Sequence, residues 1–223
     1  MFKNLKKQLF PKNESLESIF LEYPNVFNYS PTASIQYATK AFTYINLNLE
    51  IIASDPKKRQ IVVDKLLSET NNYSDIDYIC GIESGGSYFA SAIADRHQKK
   101  LIMLRRREKI ENNNLSRLVG QFPPAGSRIC LIDDVLSTGL TLFQAKKFFT
   151  DIGCSVIEAK IIYSYGFEKA ISRELDLKIS VISNYNNLIK IALEKKILTT
   201  KDTLKLNRYI SSFKQYLTRK KII

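Results

Sequence analysis

Asp133 and Asp134 are adjacent acids that end an apolar run beginning at Ile129. The stretch from Ser137 to Thr141 is made of small and hydroxylated residues around a glycine, and a new apolar-periodic run follows it. This order predicts a buried strand that presents two carboxylates at its carboxyl end, then a turn that opens a helix. Backbone N–H groups and hydroxyls at a helix start favour a phosphate, whereas the acids suit sugar hydroxyls or a hydrated Mg²⁺. A phosphorylated sugar, held at both ends, is the simplest ligand for this stretch.

Two further stretches, both earlier in the chain, also suit phosphate groups. The turn from Gly81 to Ser87 contains Gly85 and Gly86. Glycines let backbone amides approach an anion closely, and a helix start directs its dipole at the anion. Three arginines, Arg105 to Arg107, come directly after the next predicted strand. Guanidinium groups match phosphate oxygens in geometry, so this run suits a pyrophosphate.

The apolar pattern predicts strands that alternate with helices from Ile76 onward, which is typical of βαβ units and a parallel sheet. We expect strands over 43–51, 76–82, 101–104, 128–132, 155–163 and 178–183. We expect helices over 15–22, 31–42, 87–98, 140–152, 184–196 and 200–217, and one more that starts at Pro56. Thr200 is the expected N-cap of the last helix. The connection over 105–127 lacks clear periodicity, and long loops of this kind are usually functional or mobile.

The glycine turn, the arginine run and the acid-pair stretch follow one another in the chain in this order. Together they resemble the motifs of the type I phosphoribosyltransferases, which use 5-phosphoribosyl-1-diphosphate. That family's signature is two hydrophobic residues, Asp-Asp, two hydrophobic residues and Ser-Thr-Gly-x-Thr, and residues 131–141 match it. The chain most resembles the orotate phosphoribosyltransferases, which carry a similar basic run, and the resemblance spans roughly Tyr37 to Phe213. It implies an α/β fold with a Rossmann-like parallel sheet flanked by helices. The expected parts are an N-terminal hood (1–42), a phosphoribosyltransferase domain (43–183) and a basic C-terminal helical appendage (184–223).

The resemblance also implies roles for individual residues. It assigns catalysis to Asp133, Asp134 and Lys109. It assigns binding of the phosphoribosyl diphosphate to Glu83, Ser84, Gly85, Gly86, Ser87, Arg105, Arg106, Arg107, Val135, Leu136, Ser137, Thr138, Gly139, Leu140 and Thr141. Asp133 and Asp134 would meet Mg²⁺ indirectly, through ribose hydroxyls or water, and Lys40, Tyr163 and Tyr165 are candidates for contact with the base. Because a loop of one subunit closes over its neighbour's site in that family, the resemblance also implies a homodimer with shared active sites.

The acceptor side departs from the orotate enzymes. Glu50 stands where those enzymes carry the arginine of an Asp-Leu-Arg stretch, so the charge is reversed. Residues 163–167 read Tyr-Ser-Tyr-Gly-Phe and lack the arginine that holds the orotate carboxylate in those enzymes. Tyr163, Tyr165 and Phe167 could instead stack on a flatter, less charged base. In the mobile loop, Asn112 replaces a histidine, and Lys109 stands one place from the expected lysine.

Three hypotheses follow from these residues. The first is an orotate-type enzyme of pyrimidine nucleotide synthesis, in which a ring nitrogen of the base attacks the ribose as pyrophosphate leaves. The second is a divergent relative that takes another base or a nucleotide, as a salvage enzyme or an effector that depletes nucleotides. The third is a binding module that senses the activated sugar and binds nucleic acid or a protein partner through residues 184–223.

Composition sets the outer limits. The 223 residues, 44% of them hydrophobic, suffice for one sizeable core, and no apolar run is long enough to span a bilayer. Three widely spaced cysteines, Cys80, Cys130 and Cys154, are expected to be buried free thiols of a cytoplasmic protein. The net charge is +12, and residues 160–223 hold 14 Lys/Arg against 5 Asp/Glu, a net of +9. This basic tail is either a solvated surface or a site for a polyanion.

Overall fold

The computed structural model describes residues 15–32, 35–36, 42–68, 73–106 and 114–219. Its strands are β1 (Phe27–Tyr29), β2 (Ile35–Gln36), β3 (Phe42–Thr43), β4 (Ile45–Leu47), β5 (Tyr78–Ile82), β6 (Lys100–Leu104), β7 (Leu118–Val119), β8 (Arg128–Leu136), β9 (Ser155–Ser164) and β10 (Lys178–Asn184). Its α-helices are α1 (Leu16–Glu22), α2 (Leu49–Ser54), α3 (Pro56–Ser68), α4 (Gly85–His97), α5 (Leu140–Asp151), α6 (Glu168–Glu174), α7 (Tyr185–Glu194) and α8 (Thr200–Arg219). A short 3₁₀ helix spans Asn114–Arg117.

A six-stranded sheet in the order β10-β9-β8-β5-β6-β7 forms the centre of the molecule. Its strands are parallel except β7, which runs antiparallel to β6 at one edge. Every residue of β5 is buried, because helices cover both faces of a parallel sheet. The predicted α/β class, with helices flanking a parallel sheet, is confirmed.

The hood, a name used from here on for the described residues between 15 and 53, is built differently from the sequence prediction, which ended the hood at residue 42. The helix predicted over 31–42 is wrong in the residues that the structure describes, because Ile35–Gln36 pairs antiparallel with Phe42–Thr43. The strand predicted over 43–51 ends at Leu47, where β4 pairs with β1, and α2 begins two residues later. Leu49, Ile52 and Ala53 are buried in α2. The i, i+3, i+4 spacing of these three residues fits one face of a helix. The alternation of polar and apolar residues over 43–51 fits a strand equally well.

The last two helices pack back onto the rest of the protein. Four residues of α7 are buried, and the helix packs against α1. Helix α8 reaches the hood through the Tyr29 hydroxyl, which donates to Asp202 Oδ1 at 2.6 Å, and through the Tyr44 and Tyr209 rings at 5.3 Å. The N-cap of α8 is Thr199 and not the predicted Thr200. Thr199 Oγ1 accepts from the Asp202 N–H while Asp202 accepts from the Thr199 N–H, a capping box.

A buried charged cluster lies in β9, where Lys160 is the register partner of Ile132, the residue before Asp133. The Lys160 side chain is 0% exposed and its Nζ lies 3.6 Å from Glu158 Oε1, without a hydrogen-bond partner. Glu158 Oε2 also meets the exposed Lys178 at 3.2 Å. Tyr73, whose ring lies under Lys160 Nζ, stacks on His97 at 4.1 Å. Burial lowers the pKa of Lys160, while Glu158 opposes the shift.

We predict that Lys160→Met keeps or raises the free energy of unfolding near neutral pH, by up to about 4 kcal/mol, because Glu158 retains Lys178 while a buried charge is removed. The folded-state pKa of Lys160 lies below its ordinary value. The unfolded chain therefore binds the extra proton between those two values, and wild-type stability rises with pH through that window. Urea unfolding between pH 7 and pH 10 should show a flatter rise for the variant. Lys147→Met, at an exposed pair, is the control, and a large loss of stability in Lys160→Met would contradict the prediction.

Candidate active site

The topology alone creates a crevice at one end of the sheet. Strands β5 and β8 are neighbours, but the chain leaves β5 towards β6 on one side and leaves β8 towards β9 on the other. Right-handed crossovers in opposite directions place α4 and α5 on opposite faces of the sheet. The carboxyl ends of β5 and β8 therefore flank a topological switch point, where open α/β sheets bind their ligands. All three phosphate-type motifs of the sequence lie at this end.

Asp133 and Asp134 belong to β8 itself. The prediction that the strand ends at Ile132 is wrong, because β8 continues to Leu136 and pairs with β9 as far as Ser164. The Asp133 side chain is only 1% exposed and its Oδ1 accepts from the Asp134 N–H at 3.0 Å. Asp134 Oδ1 accepts from the Val135 N–H at 2.9 Å, and its side chain is 14% exposed. The strand backbone thus orients both carboxylates.

The electrostatics of the acid pair depend on one arginine. Burial raises the pKa of Asp133, and the Asp134 carboxylate raises it further. Arg106 Nη2 lies 3.6 Å from one oxygen of each acid and opposes the rise. Its guanidinium is half exposed, so it can leave the acids when other groups replace it. Of the two described arginines in the predicted run, Arg105 and Arg106, the structure brings Arg106 to the acids.

The glycine turn packs directly on the acid pair. Helix α4 begins at Gly85, and a Cβ at that position would lie well inside van der Waals contact with Asp134 Oδ2. A Cβ at Gly86 would overlap the Ile132 carbonyl oxygen in the same way. Only glycine allows this approach, which brings the N-terminus of α4, the positive end of its dipole, against the acids. Sequence reasoning foresaw the turn but not this contact.

The hydroxylated turn lies on the other side of the acids. Gly139 adopts φ +80°, a left-handed conformation that favours glycine, and α5 begins at the next residue. Thr138 Oγ1 accepts from the Leu140 N–H at 3.3 Å. Ser137, Thr138 and Thr141 are half-buried, so the turn combines hydroxyls with the first N–H groups of a helix. This is the chemistry of a phosphate site.

The other predicted site residues lie against the returning loop, in the core or outside the described residues. Arg105 donates to the Ser116 carbonyl at 2.9 Å, which ties it to the returning loop. Tyr163 and Tyr165 are 0% and 3% exposed, and their rings meet edge to face at 5.2 Å. The Tyr165 hydroxyl donates to the Ile45 carbonyl at 3.3 Å, so these rings pack in the core and have no open face on which a base could stack. Lys40, Arg107 and Lys109 lie outside the described residues.

One contact at the site was missed by sequence reasoning. The Ser84 hydroxyl, in the glycine turn, donates to the carboxylate of Glu50 at the start of α2. The hood therefore brings a third acid to the rim of the crevice. The signal in the sequence was the reversed charge at position 50, but only the fold shows what that charge meets.

A sequence profile of the phosphoribosyl transferase domain matches residues 54–193, which is more than half of the chain. The chain belongs to the phosphoribosyltransferase family. The matched segment contains the glycine turn, the acid pair and the hydroxylated turn, but not the hood or α8.

Curated relatives extend the match beyond that segment. This phosphoribosyltransferase is 23% identical over 209 residues to an orotate phosphoribosyltransferase of Listeria innocua, covering 92% of this chain and 95% of the relative. It is 25% identical over 185 residues to an orotate phosphoribosyltransferase of Cutibacterium acnes, covering 82% and 85% of the two chains.

Solved structures agree on the fold of this type I phosphoribosyltransferase. UMP synthase of Leishmania donovani superposes with a TM-score of 0.73 at 18% identity, over 88% of this chain and 42% of that one. Orotate phosphoribosyltransferase of Aeropyrum pernix gives 0.59 at 20% identity, over 70% and 88% of the chains. Adenine phosphoribosyltransferase of Trypanosoma brucei gives 0.57 at 19% identity, over 78% and 82%. Enzymes named for different bases thus share this fold.

We predict that Gly86→Ala destabilises the protein by about 1–3 kcal/mol, the usual range for overpacking. The added Cβ meets a backbone carbonyl of β8, which cannot move without shifting the acids. Thermal unfolding measures the loss, and Ser91→Ala, at an exposed position of α4, is the matched control. Equal melting temperatures for the Gly86→Ala variant and the wild type would contradict this packing.

Proposed function

We propose that this enzyme transfers ribose 5-phosphate from 5-phosphoribosyl-1-diphosphate to a nucleobase with release of pyrophosphate, and that the base is orotate, in pyrimidine nucleotide synthesis. The observation that carries the transfer is the convergence of the acid pair with two helix N-termini in one crevice. Family membership supports the reaction class. The names of the curated relatives support orotate.

The mechanism follows from where the charges lie. The hydroxylated turn before α5 would hold the 5′-phosphate, and the two acids would hold the ribose hydroxyls. The carboxylates would then stabilise positive charge on the sugar as the bond to pyrophosphate lengthens. The start of α4 and the arginines after β6 would neutralise the leaving pyrophosphate. The protein would also orient the donor and the acceptor for attack by a ring nitrogen of the base. No side chain acts as a nucleophile in this mechanism.

Mg²⁺ is the metal that we propose for the donor complex. Among the described residues, no group of three or more His, Cys, Asp or Glu side chains could hold a metal ion. The acid pair offers at most one or two carboxylates, which fits Mg²⁺, because this ion usually keeps waters and binds substrate phosphates. Asp133 and Asp134 would hold it through water or the ribose hydroxyls. When bound, the ion would neutralise charge on the pyrophosphate.

A second acceptor class competes with orotate in this proposal. Glu50 at the rim of the crevice adds negative charge next to the glycine turn, which disfavours an anionic base in the same crevice. The segment after β9 also lacks an arginine to pair with a carboxylate. Both features favour a base without a carboxylate, or a nucleotide, over orotate. Acceptor panels that include orotate, uracil, adenine and hypoxanthine would separate these candidates.

We expect pyrophosphate release from the wild type in the presence of the donor, Mg²⁺ and one base of that panel. Asp133→Asn and Asp134→Asn should each lower kcat/KM by at least about 100-fold, because charge stabilisation of the transition state is lost. Asp151→Asn, at an exposed ion pair on α5, is the control and should keep wild-type activity. Full activity in the acid-pair variants would refute the mechanism, and absence of pyrophosphate with every base would refute catalysis.

We predict that Glu50→Gln lowers KM for the donor by about 1.4- to fivefold, the effect of a charge contact worth about 0.2–1 kcal/mol. The carboxylate contacts Ser84 in the turn that would hold the pyrophosphate, so it repels the donor. Glutamine still accepts the Ser84 hydrogen bond. Initial-rate kinetics measure the change, with the exposed Glu174→Gln as control. An unchanged or higher KM would place Glu50 away from the donor.

Assembly, location and the basic tail are part of the same proposal. We propose a homodimer, supported by Leu140 and Phe143, which leave 50% and 51% of their surface exposed on one face of α5 beside the phosphate turn. We propose a cytoplasmic location, supported by three cysteines that are free and buried. Among the described residues, no helix is both long and apolar enough to cross a membrane.

The third hypothesis, a binding role for residues 184–223, also remains a proposal. Lys201, Lys205 and Arg208 are exposed on α8 at the i, i+4, i+7 spacing of one helix face. A basic stripe of this kind supports binding of nucleic acid or an acidic protein partner.

A further inference from the structure

A pocket of about 570 Å³ lies between α1, α3, β10 and α7. None of the predicted donor or base residues lines it. Its apolar lining includes Leu16, Ile61 and Ile182, and its polar lining includes Glu17. This size falls within the range of small-molecule sites, about 300–1,000 Å³. The proposed reaction does not use this pocket.

Glu17 is the unusual member of the lining. Its side chain belongs to a residue that is 8% exposed, and one carboxylate oxygen accepts from the Ser183 hydroxyl at 2.9 Å. Within the part of the chain that the structure describes, no Lys, Arg or His nitrogen lies within 4.0 Å of this carboxylate. Lys65 lines the pocket too, but from an exposed position on α3. Among the described residues, Glu17 thus has one hydrogen-bond partner, Ser183, and no ion-pair partner.

Other acids of the protein show how unusual this is. Buried Glu158 has two lysines, and Glu22, on the same helix as Glu17, pairs with Lys195 at 2.6 Å. Asp64, which also lines the pocket, pairs with Arg96. A carboxylate removed from water without a cation is unfavourable, and a buried group of this kind calls for a partner. The pocket beside Glu17 is where such a partner would fit.

We infer that this pocket binds a small organic cation, with an ammonium or amidinium group at Glu17 and an apolar body against Leu16, Ile61 and Ile182. The charged head supplies the missing counter-ion and N–H donors for the carboxylate. The apolar body is removed from water by the three aliphatic side chains. Phosphorylated compounds do not suit the pocket, because its buried charged group is negative. The site is separate from the donor crevice and does not depend on which base is the acceptor.

Benzamidine and benzamide are a matched pair of probes, because they share a ring and differ in the charge of the head group. Titration calorimetry with the full chain should show benzamidine binding at least tenfold more tightly than benzamide. Glu17→Gln keeps an acceptor for Ser183 and removes the charge, so it should weaken benzamidine binding at least tenfold. Glu22→Gln, on the same helix, should bind benzamidine as the wild type does. Pyrophosphate release should be the same in all three proteins.

A second variant keeps the test independent of the stability of Glu17→Gln. Ser68 is an exposed lining residue at the end of α3, and Ser68→Trp would fill the pocket while Glu17 stays intact. It should also abolish benzamidine binding. Asp133→Asn should leave that binding unchanged, which separates this site from the donor crevice. Equal binding of the two probes, benzamidine binding that survives Glu17→Gln or Ser68→Trp, or no binding at millimolar concentration would overturn the inference.

Discussion

The contact between the acid pair of β8 and the first residues of α4 sets the geometry of the whole site. Two adjacent carboxylates inside a parallel sheet are unfavourable unless the backbone and a cation satisfy them. Here the next N–H along the strand serves each acid, and Arg106 lies 3.6 Å from both. The approach of α4 then requires two residues without side chains, Gly85 and Gly86, at one helix start. The requirement for glycine at these two positions thus links β8, α4 and the charged acid pair.

The rest of the molecule separates polar from apolar functions around that contact. Strand β5 is buried throughout, and the helices on both faces of the sheet leave polar chemistry to the carboxyl ends of the strands. Among the described residues, the buried charged groups outside that end are the Glu158–Lys160 cluster and Glu17. The first pairs its charges internally, and the second has a pocket beside it. The hood and α8 contact the segment that follows β9 at the end of the sheet that carries the acids. The Tyr165 hydroxyl donates to the Ile45 carbonyl, and the Phe167 ring packs against the Phe213 ring.

Sequence reasoning succeeded where pattern and packing agree. Strands β5, β6, β9 and β10 lie within two residues of their predicted bounds, since continuous apolar runs bounded by turns determine them. The donor motifs were recognisable because glycines and paired acids at strand ends have few other uses. It failed in the hood, where Leu49, Ile52 and Ala53 fit either period and tertiary packing decided for a helix. Helix α6 was not predicted, because Ile171 alone of its residues is buried and one position defines no apolar period.

Long-range contacts explain the remaining failures. Tyr163 and Tyr165 looked like base-stacking residues, but the hood carbonyl at Ile45 and the neighbouring ring place them in the core. The Ser84–Glu50 and Glu17–Ser183 contacts join residues 34 and 166 positions apart, and no local pattern encodes such pairs. Local chemistry alone predicts a phosphate at the hydroxylated and glycine turns, and this stays a prediction. No local pattern of this kind predicts the base.

The contacts between hood and α8 also bear on how the chain folds during its synthesis. Tyr29 and Asp202 are 173 positions apart, and Tyr44 meets Tyr209, so one of the earliest segments made is completed by one of the last. The ribosome adds residues at about 5–20 per second, which separates the two segments by on the order of ten seconds or more. The strands and turns that form the acid crevice, residues 78–141, are made within that interval, whereas the contacts between hood and α8 can form only once α8 has been made.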